Sequence, residues 1–186
     1  AEVERMIRMV EDLLELARSE SGTVALRVER FDLGDVAAST INTFARRADG
    51  AGVELDLEAP DAVEVDADRG RLTQVVVNLL DNALRHTPAG GSVQVTVAAG
   101  GNDAVLTVRD TGIGIPFADL PRIFERFYVV DRSRSREHTG TGLGLAIAKH
   151  VVEAHGGTLI AESVYGAGAT FTMRIPRGAS ANIKTP

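Results

Sequence analysis

The stretch Asn78-Leu79-Leu80-Asp81-Asn82-Ala83-Leu84-Arg85-His86-Thr87 carries two patterns on one helix. The first is apolar: Leu72, Val75, Val76, Leu79, Leu80 and Ala83 recur at spacings of three and four, the period of a stripe that faces a core. Asp68 supplies an N-cap ahead of it, and Thr87–Pro88 with Gly90–Gly91 closes it. The second is polar. Asn78, Asn82 and Arg85 stand at offsets of four and three, so they share one side of the helix beside the apolar stripe. Asparagine is a poor interior helix residue and costs free energy when buried unpaired. Two at i, i+4 suit oxygen ligands for Mg2+ held between nucleotide phosphates, with Arg85 as a charge clamp. A solvated pair on a helix edge would leave the same pattern.

Working outward towards the N-terminus, the chain alternates from about Val24 to Phe31 as a half-buried strand does. Asp32 then caps a helix running to about Asp49, with Val36, Ile41 and Phe44 inward and a break at Gly50 and Gly52. Val53–Leu57 and Val63–Val65 alternate again. Residues 1–18 predict a further helix whose narrow seam of Val3, Met6, Ile7, Val10, Leu13, Leu14 and Ala17 needs a partner. On the other side, Ser92–Ala98 and Ala104–Asp110 form a hairpin through Gly100–Gly101. Leu143–His155 reads as helix, and Thr158–Ser163 with Thr170–Ile175 as a hairpin through Gly166 and Gly168. Strands and helices mix without strict alternation, which predicts an α/β (α+β) two-layer sandwich: one mixed sheet with helices on one face, preceded by an N-terminal helix.

Two glycine-rich segments flank a long polar one. Asp110-Thr111-Gly112-Ile113-Gly114-Ile115-Pro116 ends a strand in a carboxylate with an apolar rim; an ionised carboxylate only accepts, so it suits the amino group of adenine and opposes the carbonyl of guanine. An ordinary Asp-Gly turn would look alike. Gly140-Thr141-Gly142-Leu143-Gly144 leads straight into a helix, where free N–H groups and the helix dipole favour phosphate; a hinge is the plainer alternative. It lacks the third glycine of a dinucleotide fingerprint and the Gly-Lys-Ser/Thr of a P-loop, since Ala148 precedes Lys149. Between them Pro116–Thr139 has little periodicity, holds Phe124, Phe127 and Tyr128, and predicts a lid whose aromatics seek burial.

The composition removes several classes of function. The chain of 186 residues has a formal net charge of −6, which disfavours nucleic acid, although Arg132, Arg134 and Arg136 form a local basic run. There is no cysteine, hence no disulfide scaffold, thiolate metal site or Cys nucleophile. No run reaches the roughly 18 apolar residues of a membrane span. His150 and His155, five apart, do not share a helix face and make a poor metal pair.

Taken in order, these segments resemble the boxes of the sensor histidine kinase catalytic domain. Asn78–Thr87 looks like its N box, Asp110–Pro116 its G1 box, Phe124–Tyr128 its F box and Gly140–Lys149 its G2 box; Gly166–Phe171 resembles its last glycine-rich strand motif. Residues 1–22 are similar to the second helix of the dimerisation and phosphotransfer domain, which implies domains at 1–22 and 23–177 and a flexible tail at 178–186. The resemblance implies a Bergerat ATP-binding fold with ATP and Mg2+ as cofactors. It places the metal on Asn82 with Asn78 beside it, Arg85 on the phosphates and His86 along the nucleotide. Asp110 would bind the adenine amino group in a pocket shaped by Gly112, Gly114 and Ile115, with Thr170 near the base. Arg132, Gly140, Thr141, Gly142, Leu143 and Gly144 would meet the nucleotide from the lid and the second glycine loop. Thr139 stands where many relatives carry another glycine.

The resemblance further implies transfer of the γ-phosphoryl group to a histidine, and onward to the aspartate of a response regulator receiver domain. None of the four histidines has the phosphoacceptor context, so the acceptor helix, the sensor and any membrane span are expected before Ala1. The expected setting is the cytoplasmic portion of a membrane-anchored homodimer, the chain itself being a monomer that binds ATP without completing autophosphorylation. A Bergerat-fold ATPase using water, a non-catalytic ATP-binding interaction module and a serine-directed kinase are the alternatives. The first needs a carboxylate base where Asn78 stands, and an amide takes no proton.

Overall fold

The computed structural model describes residues 26–130 and 141–178. The helix read over residues 1–18, the strand start at Val24, Arg132, Thr139, Gly140 and residues 179–186 lie outside these. The order is β1 (Val28–Asp32), α1 (Leu33–Ala51), β2 (Glu54–Glu58), β3 (Glu64–Asp68), α2 (Arg69–His86), β4 (Ser92–Gly100), β5 (Asp103–Asp110), a 3-10 turn (Leu120–Arg122), α3 (Gly144–Ala154), β6 (Thr158–Ser163) and β7 (Ala169–Pro176). No helix among the described residues is long and apolar enough to cross a membrane.

Five strands form a mixed sheet in the order β2-β4-β5-β7-β6, with β2 and β4 parallel and the other pairs antiparallel. Period-two burial sends Val93, Val95, Val97, Leu106, Val108, Phe171, Met173 and Ile175 to one face, where the helices cover them. Gln94, Arg109 and Arg174 are exposed on the other face. The two-layer α/β sandwich with helices on one face is therefore the observed architecture. α2 lies between α1 and α3 and buries Leu72, Val75, Val76, Leu79, Leu80, Ala83 and Leu84. Each fully buried Val or Leu stabilises by about 1.5–3 kcal/mol relative to exposure, so this stripe fixes the helix in rotation as well as in place.

Two expectations need correction. β1 and β3 do not join the main sheet; they pair antiparallel with each other, Val28 opposite Asp68 and Asp32 opposite Glu64. Each of these strands ends in the cap of a helix, which gives the pair its own job. Asp32 Oδ1 accepts from Gly34 N at 2.9 Å and Val63 N at 3.0 Å, and Asp68 Oδ1 from Arg71 N at 3.1 Å. Gly50 does not break α1. It sits exposed in the last helical turn, where a glycine costs about 0.5–1 kcal/mol, and Gly52 caps the helix in the left-handed region at φ 66°.

Candidate nucleotide-binding site

The C-terminal end of α2, the end of β5, the β6–β7 turn and the start of α3 converge. Asp110 closes β5 and is 5% exposed. Its Oδ1 accepts from Gly112 N at 2.8 Å and from Ala169 N at 3.2 Å, while no described donor reaches Oδ2. Burial pushes this carboxyl above the ordinary aspartate value, opposed by those two N–H groups and by nearby His86. The result is a held carboxylate with one oxygen left for a ligand.

The loop after Asp110 is clamped from both sides. Ile113 N donates to the His86 carbonyl at 3.1 Å, and a β-carbon on Gly112 would stand 2.4 Å from that oxygen, so only glycine permits the approach. Gly168 has φ 91°, and a β-carbon there would lie 2.0 Å from the Asp110 carbonyl oxygen. The hydroxyl of Ser163 accepts from Ile115 N at 2.8 Å and donates to Gly168 O at 2.6 Å. Ile113 is 55% exposed and forms an apolar rim, while Ile115 is half-buried against the core.

On the α2 side, Asn78 is half-buried and its Nδ2 is fully buried with no hydrogen-bond partner among the described residues. A β-carbon on Gly144 would stand 3.5 Å from Asn78 Oδ1, so the first residue of α3 lies against the Asn edge. Asn82, one turn on and half-buried, has a side chain that makes no hydrogen bond to the described residues. Leu143, the buried N-cap of α3, brings no capping side chain, which leaves the first-turn N–H groups open towards this edge. Leu143 N instead donates to Thr141 Oγ1 at 3.3 Å. Among the described residues no cluster of three or more His, Asp or Glu could hold a metal. The available donors are amide oxygens beside an open helix start, which fits a hard cation that brings phosphate and water ligands with it. The orphaned Asn78 Nδ2 is a donor, which suits the phosphate and water oxygens around such a cation.

Arg85 is drawn onto Asp81, which also pairs with Arg47 of α1. Burial alone would raise the Asp81 carboxyl, but the two guanidinium groups hold it below its ordinary value. His86 is exposed at its rim. Partial desolvation and the Arg85 charge lower its pKa, against the pull of Asp110 and Asp81.

The long polar segment is anchored where it is described. Phe124 is half-buried under Lys149, whose Nζ lies 5.3 Å from the ring centroid. Tyr128 stacks on Arg122 at 4.3 Å and hydrogen-bonds Asp119. The expectation that all its aromatics seek burial fails at Phe127, which is 47% exposed. Phe127 takes φ 61°, a strained value for a side chain of this kind, and donates its N–H to Gly142 O at 2.9 Å.

Close contacts thus bring His86, Gly112 and Asp110 together, Asn78 against Gly144, and Thr141 against Leu143; no hydrogen bond among the described residues joins Asn82 or Gly142 to Asp110. Thr170 stands apart from Asp110. It pairs with Arg109 on the exposed face, and the pleat gives the place beside Asp110 to Ala169. Sequence reasoning missed three contributors: the Ala169 amide, the Ser163 hydroxyl and the Arg47–Asp81 pair. Of these, Asp81 and Ala169 sat inside motifs, Asp81 in Asn78–Thr87 and Ala169 in Gly166–Phe171.

Residues 67–179 match the family described as histidine kinase-, DNA gyrase B- and HSP90-like ATPase. The chain is 41% identical over 176 residues to the circadian input-output histidine kinase CikA of Synechococcus elongatus, covering 93% of this chain and 23% of that protein. It is 40% identical over 178 residues to the sensor histidine kinase WalK of Bacillus subtilis, covering 94% of this chain and 29% of WalK. Full-length ShkA in complex with AMPPNP superposes with a TM-score of 0.81 at 31% identity, over 95% of this chain and 36% of that one. The chain spans under half the length of the curated relatives it matches.

Proposed function

The chain belongs to the histidine kinase-, DNA gyrase B- and HSP90-like ATPase family, and we propose that it is the catalytic domain of a sensor histidine kinase, binding Mg-ATP and transferring the γ-phosphoryl group to a histidine on a separate phosphoacceptor helix. The observation that carries this reading is the Asp110 carboxylate, held through Oδ1 by two backbone N–H groups with Oδ2 directed to no described donor; the orphaned Asn78 amide beside the start of α3 supports it. Asp110 accepts from the adenine amino group, and Gly112 and Gly114 bring backbone close to the base. The open first turn of α3, with Thr141, Gly142, Leu143 and Gly144, receives the phosphates. Asn82, with Asn78 beside it, holds the Mg2+, which neutralises phosphate charge when bound. His86 lies along the nucleotide, and Arg85 exchanges its Asp81 partner for phosphate.

Phosphoryl transfer asks for positioning and charge neutralisation more than for covalent help from side chains. That is what this cleft offers, and Asn78 provides no base to activate water. His155 is buried with both ring nitrogens engaged, to Val151 O at 2.8 Å and Asp68 N at 3.1 Å, so it is unsuited to accept a phosphoryl group. The acceptor is therefore sought outside the catalytic body. In the whole protein, residues 1–22 would be the second helix of a dimerising phosphotransfer domain, residues 23–177 the ATP-binding domain and 178–186 a tail. The setting would be the cytoplasmic side of a membrane-anchored homodimer that passes phosphate to a response regulator.

Incubation with γ-labelled ATP tests this directly. With a phosphoacceptor helix hairpin supplied in trans, the hairpin is expected to gain acid-labile label, while the chain alone gains none and releases little phosphate. Rapid phosphate release by the chain alone would favour the water-using ATPase. ATP binding without any labelling would favour the interaction module.

A further inference from the structure

Besides Asp110 itself, whose Oδ1 accepts from Gly112 N and Ala169 N, the hydroxyl of Ser163 at the end of β6 hydrogen-bonds both loops flanking Asp110. It accepts from Ile115 N, on the loop that follows Asp110, and donates to Gly168 O, on the turn whose next residue supplies the Ala169 N–H to Asp110 Oδ1. The same two loops are further tied by the Gly166 N–H on Ile113 O at 2.8 Å and by the close packing of Gly114 on the Val164 carbonyl. Gly168 packs so closely on the Asp110 carbonyl that its own backbone has no slack. Movement of the turn therefore moves the Ala169 amide off the carboxylate.

We propose that Ser163 is a positioning residue for the base pocket: its hydroxyl fixes the separation of the Asp110 loop and the β6–β7 turn, and so aims the Asp110 carboxylate at the adenine edge. Ser163 touches no ligand. Its effect passes through Ile115, Gly168 and Ala169. The proposal rests on the adenine-site reading of Asp110, but its structural half does not need a nucleotide.

The test compares Ser163→Thr with Ser163→Val in the full chain. The two side chains have the same shape and both suit a strand end, so their difference isolates the hydroxyl. Titration of Asp110 by carboxyl NMR is the first readout. In Ser163→Val the loosened Ala169 N–H raises the Asp110 pKa, and in Ser163→Thr it stays at the parental value. The second readout is calorimetry. Ser163→Val is expected to bind ATP and adenosine about five- to tenfold more weakly, the weight of one hydrogen bond, with inorganic triphosphate unchanged; Ser163→Thr retains the parental affinities. Equal Asp110 titration in the two variants would overturn the proposal, as would equal loss of adenosine and triphosphate. If the parent itself fails to bind adenosine while the Asp110 titration still separates the two variants, the adenine reading fails and the positioning role stands.

Discussion

Asp110 shows how a side chain suited to a ligand is poorly suited to its own fold. Its folded pKa lies above the unfolded value, so its neutral form is the one that favours folding. That stability is fully present below the unfolded pKa and is lost as pH rises through the folded one. At neutral pH the buried charge is a cost. Asp110→Asn keeps an oxygen for the Gly112 and Ala169 N–H groups and turns an amide towards the cleft. The variant is expected to melt at or above the parental temperature at pH 7 in calorimetric scans. A large drop in its melting temperature would mean that the carboxylate serves the fold instead of a ligand. The Asp-Gly turn was legible in the sequence because the carboxylate and glycines are side-chain features. The Ala169 amide that completes the cradle was not, since a backbone N–H looks the same at every residue. Thr170 fell to the same difficulty: the parity of the β5–β7 register, fixed by Arg109 opposite Thr170, decides which of two neighbours faces Asp110.

At the scale of elements, the apolar period gave α2, α3 and the sheet strands to within one or two residues. The pairing of β1 with β3 was hidden, because strands joined through a whole helix carry no turn chemistry to announce their partner. The contact that ties α3 to the start of α2 was equally hidden. His155, at the C-cap of α3, donates through one ring nitrogen to Val151 O and accepts the Asp68 N–H through the other, an arrangement open only to neutral imidazole. Burial lowers its pKa. The folded state therefore disfavours protonation, and the stability that His155 lends is present above the unfolded value of about 6.5 and drains away as pH falls towards the folded one. Denaturant unfolding between pH 8 and 5 is expected to show the parent losing stability below pH 6.5 and His155→Gln showing a flatter profile, with the residue of the slope due to His86, whose pKa is also lowered. Identical slopes in parent and variant would contradict this.

Across the whole molecule, four segments scattered from Asn78 to Ala169 come together because α2 is pinned by its buried stripe and the β6–β7 turn is folded back onto the end of β5. The order of the motifs along the chain announced that meeting. Its fine adjustment, through Ser163 and through the Arg47–Asp81–Arg85 pairing, was written only in three dimensions. The central claim is an adenine-selective nucleotide site built on Asp110, and calorimetric titration of Mg-ATP and Mg-GTP into the chain and into Asp110→Asn tests it most directly. The account predicts that ATP binds, that GTP binds far more weakly, that the variant loses ATP, and that ATP affinity in the parent falls as acid protonates Asp110 from above the ordinary carboxylate range. Equal affinity for ATP and GTP, unaffected by the substitution, would contradict it.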